Sequence, residues 1–235
     1  MPAKPGAPSG KRIYAIGDIH GCDRQLESLL RQIREDAELG TAEEKLLVTL
    51  GDYVDRGPGS REVLDLLAGD PLPGFSRVHL CGNHDAMMLE FLENPEAGPL
   101  WLMNGGDATC RSYLVEPSSL PVALSRDLRA ALPESHLAFL RSLDLSHEEG
   151  GYLFVHAGVR PGVALQNQTP EDLMWIRDAF LFSPEDHGRL VVHGHTPRSA
   201  PDRQPNRIGI DTGACFGGDL TCLVLEGTEQ RFLRA

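Results

Sequence analysis

The sequence lacks the features that mark a membrane-spanning or exported protein. None of its apolar runs approaches the roughly 18 residues that a transmembrane helix needs, so no membrane span is predicted. The segment Met1–Gly10 is rich in Pro, Gly and Ala but has no apolar core, so no secretory signal is predicted. We interpret residues 1–11 as a disordered leader and residues 12–235 as one domain.

An excess of positive charge is also lacking. The 22 Lys and Arg residues face 34 Asp and Glu residues, which gives a formal net charge of −12. Nucleic acids and anionic membrane surfaces attract proteins of the opposite sign. We therefore expect neither a nucleic acid nor a membrane among the partners of this protein.

Cysteine is scarce and irregularly spaced. The five cysteines form no CxxC pair, which argues against a structural zinc site. An odd number without close pairs is typical of reduced thiols, so we expect a cytoplasmic protein. The hydrophobic fraction of 41% is ordinary for a globular protein and argues against disorder of the whole chain.

The sequence does contain a series of short apolar runs that end in polar motifs. The runs cover residues 11–16, 45–50, 77–81, 152–155, 189–192 and 207–210, and the motifs after them read GDIHG, GDYVDRG, GNHD, HAG, HGHT and DTG. Such runs are typical of buried strands, and helical patterns at 24–39 and 60–67 lie between them. Alternating strands and helices predict an α/β fold, whose ligands bind at the carboxyl ends of the strands. We therefore expect the motifs to converge on one site.

Two segments depart from this alternation. Residues 86–150 are mostly helical in pattern, with a polar interruption at 104–111, and we interpret them as a helical insertion and not as a separate domain. Residues 220–225 and 230–233 predict a closing hairpin.

The residues at the strand ends are of the types that bind divalent metals. Asp18 and His20 alternate with period two, which places both side chains on one face of an extended segment. Later strand ends add carboxylate, amide and imidazole groups without a thiolate, a set that suits Mn, Fe or Zn. Six ligands are too many for one ion, so we expect two divalent metal ions, foremost Mn, bridged by Asp52. The expected ligands are Asp18, His20, Asp52, Asn83, His156 and His195.

Two neighbouring metal ions suit hydrolysis at phosphorus. They bind phosphoryl oxygens and lower the pKa of a bridging water from 15.7 toward roughly 7, which provides a hydroxide nucleophile. Arg56 and Arg177 lie in motifs suited to bind the remaining oxygens, because a guanidinium matches phosphate with two hydrogen bonds. His84 is the candidate general acid for the leaving oxygen, with Asp55 to orient it. Each residue alone is more commonly a cap or a surface charge, and their joint occurrence favours the catalytic interpretation.

The motif series resembles the calcineurin-like metallophosphoesterases and, within them, the bacterial serine/threonine phosphoprotein phosphatases. The resemblance spans residues 12–213 and rests on GDIHG, GDYVDRG, GNHD, HAG and HGHT in this order. It implies a sandwich of two sheets flanked by helices, with a dinuclear metal centre. It also implies that Arg56 binds phosphate and that His84 and Asp55 form the acid pair. The segment WIRD similarly suggests Arg177.

The resemblance further divides the expected ligands between the two metals. The first ion would be held by Asp18, His20 and Asp52. The second ion would be held by Asp52, Asn83, His156 and His195.

Two departures from the family pattern bear on the substrate. The protein phosphatases usually read RGNHE where this chain reads CGNHD, and DTGACF stands in place of the eukaryotic segment SAPNY. GNHD resembles the diadenosine tetraphosphatase branch, whereas GDYVDRG is the protein-phosphatase form. We predict hydrolysis of phosphoserine and phosphothreonine, with a phosphoprotein or phosphopeptide as the partner. The alternative substrate is a dinucleoside polyphosphate or another nucleotide.

Two rival interpretations make different demands on the chain. A nucleotide hydrolase needs contacts for a nucleoside, and Trp101 and Arg111 in the insertion are candidates. A non-catalytic module with the same fold should have lost metal ligands or the acid pair. All of these residues are present, which argues against the second rival.

Overall fold

The computed structural model describes residues 5–118 and 120–235, and these residues form two mixed β-sheets of five strands each. The strands are β1 (Lys11–Ile16), β2 (Glu44–Thr49), β3 (Ser76–His79), β4 (Ser146–Glu149), β5 (Tyr152–Val155), β6 (Leu190–His193), β7 (Asp202–Arg203), β8 (Arg207–Gly209), β9 (Thr221–Glu226) and β10 (Glu229–Arg234). The first sheet has the order β10-β9-β1-β2-β3 and the second has the order β4-β5-β6-β8-β7. In each sheet three consecutive strands are parallel, namely β1-β2-β3 and β5-β6-β8, so their carboxyl ends point the same way.

Between the two sheets lies an apolar core that follows from the alternation of side chains along each strand. On β1, Ile13 and Ala15 pack in the cluster shared with the second sheet, whereas Tyr14 and Ile16 pack on the opposite face. Phe154 on β5 joins the shared cluster from the second sheet. Most of the apolar runs seen in the sequence are therefore strands that are buried on both faces, whereas the edge strand β3 is only partly buried.

Helices cover the outer faces of both sheets. They are α1 (Asp23–Leu39), α2 (Ser60–Ala68), α3 (Asn83–Glu93), α4 (Gly98–Trp101), α5 (Asp107–Ser112), α6 (Pro121–Ala131), α7 (Glu134–Arg141), α8 (Pro170–Trp175) and α9 (Asp178–Leu181). Leu26, Leu29 and Ile33 on α1 share one helical face and are buried with the first sheet, while α8 and α9 cover the second sheet. The predicted α/β sandwich flanked by helices is confirmed. Among the described residues, no helix is both long and apolar enough to cross a membrane.

The helices within residues 86–150 pack into the same apolar cluster as the first sheet. The polar interruption predicted at 104–111 is found as a kink inside the π-helical turn Leu102–Gly106, and α5 follows this turn directly. Gly105 has the non-helical φ of +102° in this turn, a conformation that glycine adopts at little cost. The interruption is therefore a local distortion between two helical segments.

The N-terminal segment also differs from the prediction of a disordered leader over residues 1–11. Residues 1–4 lie outside the described residues, and the chain is ordered from Pro5 onward. The Ala7 amide donates to the Gly227 carbonyl at 2.7 Å, and the Gly151 amide donates to the Gly6 carbonyl at 2.9 Å. These bonds use backbone groups only, so the side-chain composition gave no sign of them.

A partly buried charge cluster joins α1 to the first sheet. Asp36 on α1 accepts hydrogen bonds from the Tyr14 hydroxyl at 2.7 Å and from Arg231, and it pairs with Arg12 at 3.2 Å. Burial alone would raise the pKa of Asp36, but the hydrogen bonds from Arg231 and Tyr14 and the charges of Arg231 and Arg12 hold it below its usual 3.8. The folded state therefore favours the ionised carboxylate.

We expect Asp36→Asn to lower the free energy of unfolding by about 2 kcal/mol near pH 7, because two guanidinium groups lose a charged partner. A carboxyl with a depressed pKa stabilises the fold above its unfolded pKa and loses that contribution as pH falls through its folded pKa. The difference between wild type and variant should therefore be complete near pH 7 and shrink below about pH 4.

Urea unfolding curves near pH 7 and below about pH 4 measure this difference between wild type and variant. Glu35→Gln removes an exposed carboxyl from the same helix and should change stability by less than about 0.5 kcal/mol. A loss in Asp36→Asn that is equally large at both pH values would contradict the electrostatic explanation.

Candidate active site

The predicted metal ligands lie together at the edge where the parallel strands end. They come from the loops after β1, β2, β5 and β6 and from the N-terminus of α3, and they are Asp18, His20, Asp52, Asn83, His156 and His195. Each of them is 6% exposed or less. Parallel strand order brings these distant segments together, since the carboxyl ends of neighbouring parallel strands share one edge.

The backbone at this edge is strained. Of the six non-glycine residues with positive φ in the described part of the chain, five belong to the predicted site. They are His20 (φ +45°), Asp52 (+53°), Asp55 (+72°), Arg56 (+68°) and His195 (+64°). Each such residue costs of the order of 1–3 kcal/mol, and strain of this kind concentrates at functional sites.

One group of potential metal ligands surrounds His20. Ligand atoms of His20, Asp52 and His84 all lie within 4.8 Å of one another, and His20 Nε2 is 3.3 Å from Asp52 Oδ2. His20 Nδ1 donates to the Val54 carbonyl at 2.9 Å, which leaves Nε2 without a proton. The orientation and tautomer of this ring are therefore those of a metal ligand.

A second group shares Asp52 with the first. Ligand atoms of Asp52, His156 and His195 lie within 4.8 Å of one another, and His156 Nε2 is 3.5 Å from Asp52 Oδ2. His156 Nδ1 donates to the Leu50 carbonyl at 2.9 Å, so Nε2 is again an acceptor. Asn83 Oδ1, also an acceptor, lies 3.0 Å from it, and a shared cation would stabilise two acceptors in this arrangement. Asp52 lies between the groups, as a bridging ligand would.

The imidazoles of both groups are held in the neutral form that binds metals. Burial lowers the pKa of His20 to about 3. Burial, with the charges of His156 and Arg177, lowers the pKa of His195 to about 2. His195 Nε2 is buried and has no hydrogen-bond partner among the described residues. A buried lone pair without a donor fits a metal ligand, because such a group is costly when left unpaired.

Two carboxyl groups of the site, Asp18 and Asp211, are ionised less readily than usual because of burial and neighbouring carboxylates. Burial raises the pKa of Asp18, and the nearby Asp211 and Asp52 raise it further. Burial also raises the pKa of Asp211, to about 6. Bound cations would offset the repulsion among these carboxylates, so the donor set and its charge both fit divalent metal ions.

His84 and Asp55 form a buried pair beside the first group. His84 Nδ1 lies 2.8 Å from Asp55 Oδ2, and neither residue is more than 1% exposed. Asp55 also accepts from Thr109 Oγ1 at 2.7 Å and from Trp101 Nε1 at 3.0 Å. Three donors thus fix the carboxylate that orients His84. All of them are buried, so this geometry resists rearrangement.

A family model described as calcineurin-like phosphoesterase matches residues 11–223. The chain belongs to the calcineurin-like phosphoesterases. It is therefore a phosphoesterase hydrolase, and its family implies divalent metal ions at the two groups that share Asp52.

Its relatives within the family carry different substrate names. Serine/threonine-protein phosphatase 2 of Escherichia coli is 41% identical over 219 residues, which cover 90% of this chain and 91% of that protein. The symmetrical bis(5'-nucleosyl)-tetraphosphatase of Methylococcus capsulatus is 36% identical over an alignment of 288 residues, which covers 94% of each. A crystal structure of a cold-active protein tyrosine phosphatase has a TM-score of 0.68 at 18% identity, covers 98% of this chain and 81% of that one, and shares the fold.

Asp18, another predicted ligand of this phosphoesterase, links two strand ends of the site. Its oxygens lie outside the two close groups, the first of which also contains His84. Both Asp18 carboxylate oxygens accept from the His195 backbone amide, at 3.2 and 3.0 Å. The two strand ends that carry Asp18 and His195 are thereby held together across the site.

The two predicted arginines of the phosphoesterase flank the ligand groups. Arg56 Nη1 lies 2.6 Å from His20 Nε2, the same lone pair that a metal would use, so the guanidinium and a metal exclude each other there. Arg177 is exposed at the N-terminus of α9, and its charge acts on His195 and His156. Both arginines are therefore near the cluster, one beside each group.

Of the two candidate nucleoside contacts, Trp101 is not available for that role in this structure. Trp101 is completely buried, stacks on Phe91 and donates to Asp55. Arg111 is exposed and pairs with Asp107 one helical turn earlier. Trp101 is thus a support of the acid pair, which its position in the sequence did not indicate.

Asp85 is a site residue whose role the sequence reasoning missed. It is completely buried, and its carboxylate accepts from the backbone amides of Asp52 (2.8 Å), Tyr53 (2.9 Å) and Gly82 (3.0 Å). These three bonds hold the strained loop that presents Asp52. The last residue of GNHD was the available signal, but its partners are backbone groups that no motif displays.

We expect Asp85→Asn to weaken Mn²⁺ binding about 10- to 100-fold, because an amide cannot accept from all three donors and the orientation of Asp52 loosens. Titration of the apoprotein with Mn²⁺ measures the affinity. Asp127→Asn changes an exposed carboxyl on α6 and serves as the control. Unchanged affinity in Asp85→Asn would show that Asp52 does not depend on this carboxylate.

Proposed function

We propose that this phosphoesterase hydrolyses phosphoserine and phosphothreonine in proteins, with Mn²⁺ as the preferred ion in both ligand groups. When bound, two divalent ions would neutralise charge on the phosphoryl oxygens and activate water for attack on phosphorus. The two ligand groups share Asp52, as the family pattern leads us to expect. In this proposal the remaining requirements, a proton for the leaving group and positive charge for the phosphate, are met by side chains of the protein.

The observation that carries the proposal is the buried pair of His84 and Asp55. Serine and threonine leave as alkoxides, which are poor leaving groups unless they are protonated as the ester bond breaks. His84 can give up a proton from its second ring nitrogen, while Asp55 holds the first at 2.8 Å. A leaving phosphate group, as in a dinucleotide, needs no such proton, so a rigid acid pair favours a phosphomonoester of an alcohol.

Arg56 and Arg177 bind the phosphoryl oxygens in this proposal. A guanidinium offers two parallel donors to a phosphate, and its charge is retained at every physiological pH. Arg56 must exchange its contact with His20 for one with the substrate, and its side chain is exposed enough to do so. Arg177 would approach the substrate from the His195 side.

A second candidate is hydrolysis of a dinucleoside polyphosphate. The observation that favours it is the 36% identity with the Methylococcus capsulatus bis(5'-nucleosyl)-tetraphosphatase along 94% of both chains. The motif CGNHD is consistent with this candidate as well. The same metal ligands would serve, and only the fate of the leaving group would differ.

The deciding experiment compares kcat/KM for a phosphothreonine peptide and for diadenosine tetraphosphate, with purified protein and Mn²⁺. Nucleotide products are assayed directly, because hydrolysis of the dinucleotide need not release free phosphate. We expect the peptide to be preferred by at least about tenfold, a difference of about 1.4 kcal/mol in transition-state binding. A preference for the dinucleotide would refute the substrate class and leave the metal centre intact.

We also propose a cytoplasmic location. All five cysteines are free thiols, and Cys81, Cys110 and Cys222 are buried. Thiols persist in a reducing compartment. Fractionation of the source cells would test this location directly.

A further inference from the structure

Arg56 lies between two elements that come from distant parts of the chain. On one side is the π-helical turn that ends at Gly106, and on the other is the short turn Ala214–Phe216 after β8. The Arg56 backbone amide donates to the Gly105 carbonyl at 3.1 Å. The Arg56 guanidinium carbon lies 5.4 Å from the centre of the Phe216 ring. The backbone amide and the guanidinium of Arg56 are thus each in contact with another element.

Gly105 is in close contact with Arg56. A Cβ atom at position 105 would lie 2.9 Å from Arg56 Cγ and 3.0 Å from the Arg56 amide nitrogen, closer than real Cβ contacts. Its φ of +102° also favours glycine. The π-helical distortion therefore brings a residue without a side chain against the arginine, and any larger residue would displace it.

Phe216 is an apolar ring that the packing of the protein does not account for. It is 66% exposed, although large apolar side chains are usually buried. Its contact with the Arg56 guanidinium is a cation–π interaction within the usual 6 Å. Gly213 (φ +71°) and Gly217 (φ +86°) flank its turn and orient the ring toward the site.

We propose that Gly105 and Phe216 form a clasp that holds the Arg56 side chain beside the site, so that its guanidinium need only exchange His20 Nε2 for the substrate phosphate. This inference rests on the proposed role of Arg56 in phosphate binding. A free arginine side chain samples many rotamers, and their loss on binding weakens affinity. A side chain already confined between a glycine and an aromatic face loses less. Gly105 and Phe216 are positioning residues, since neither needs to touch the phosphate.

The first test measures KM, kcat and inhibition by inorganic phosphate with p-nitrophenyl phosphate and the full, Mn²⁺-loaded protein. Phe216→Ala should raise KM and the phosphate inhibition constant about two- to tenfold and change kcat less. Phe216→Tyr keeps the ring face and should retain the wild-type KM. Phe232→Ala removes a comparable stack on Arg203 (4.6 Å) outside the site and should leave KM unchanged.

A double-mutant cycle with Arg56→Ala separates positioning from direct contact. If Phe216 acts through Arg56, Phe216→Ala should have no further effect on KM in the Arg56→Ala protein. An equal increase of KM in both backgrounds would mean that Phe216 contacts the substrate itself, and would overturn the proposal. An unchanged KM and inhibition constant in Phe216→Ala alone would also overturn it.

Gly105→Ala tests the other side of the clasp and should raise KM by a similar factor or more. Gly74→Ala is the matched control, because Gly74 has φ +86° and its Cβ would meet nothing within 4 Å among the described residues. Both variants strain the backbone, but only the new methyl group of Gly105→Ala would contact Arg56. An equal effect of the two glycine variants on KM would reduce the role of Gly105 to general stability.

A binding measurement keeps this test independent of the proposed substrate. Inorganic phosphate should raise the melting temperature of the Mn²⁺-loaded wild type more than that of Phe216→Ala or Gly105→Ala. If the wild type hydrolyses neither p-nitrophenyl phosphate nor the phosphopeptide, the proposed function fails while the phosphate shifts still report on the clasp. If it hydrolyses both and the shifts are equal in all three proteins, the clasp alone is refuted.

Discussion

Asp52→Asn is expected to lower kcat/KM by more than about 10³-fold, because the shared carboxylate of both ligand groups loses its charge. Its Oδ2 lies 3.3 Å from His20 Nε2 and 3.5 Å from His156 Nε2, so one oxygen faces both groups. Its Oδ1 accepts from the His84 amide at 2.9 Å, which fixes the carboxylate plane. An amide of the same size leaves packing unchanged and removes the negative charge that two cations would share.

Metal content is the measurement that separates this explanation from misfolding. Elemental analysis should give about two metal ions per wild-type chain and a loss of both ions in Asp52→Asn. If Asp52 bound only one ion, the variant should lose only that ion. Treatment of the wild type with EDTA should lower its melting temperature, and the variant should respond less. Two bound ions in Asp52→Asn would refute the bridging assignment.

His84→Asn is expected to lower kcat on a phosphothreonine peptide about 10²- to 10⁴-fold, because the leaving alkoxide loses its proton donor. The loss should be much smaller with p-nitrophenyl phosphate, whose leaving group is stable without a proton. Asparagine can still donate to Asp55, so the support from Trp101 and Thr109 should persist. His147→Asn, on β4 and outside both ligand groups, is the control.

The structure offers a specific competing role for His84. One of its ring nitrogens lies within 4.8 Å of ligand atoms of His20 and Asp52, so His84 could belong to the metal site. If His84 is a metal ligand, the His84→Asn protein should lose activity equally on both substrates and should contain less metal. If His84 is the general acid, the variant should keep its metal content and lose activity only on substrates with a poor leaving group. The two measurements together therefore separate the roles.

Much of the fold could be predicted because local patterns and tertiary environment agree. The six apolar runs are strands, and the helices at 24–39 and 60–67 are found within one residue of the expected limits. Except at the edge strand β3, each run is buried on both faces, which is why its apolar character is continuous. The interruption at 104–111 is narrower than the polar stretch suggested. It is a kink at Gly105, whose positive φ lets the backbone lie close to Arg56.

In the site, too, some features could be predicted from local sequence patterns and others could not. Six ligand candidates and the acid pair were recognisable because metal binding and proton transfer require particular functional groups. Asp85 and Trp101 were not assigned, because their partners are backbone amides and a buried carboxylate far away in sequence. The contact between the Asp18 carboxylate and the His195 amide, 177 residues away, was not foreseen either. Contacts of this kind have no local pattern.

The chemistry and the architecture of this protein could be predicted from its amino-acid sequence. The order of apolar runs and polar motifs specifies an α/β sandwich, and the residue types at the strand ends specify metal binding and phosphate ester hydrolysis. Which group supports which depends on the tertiary structure. It put Trp101 behind Asp55, Asp85 behind Asp52, and Gly105 and Phe216 around Arg56. The physical reason is that hydrophobic periodicity and ligand chemistry are local properties, whereas these contacts join segments whose proximity depends on strand order and sheet packing.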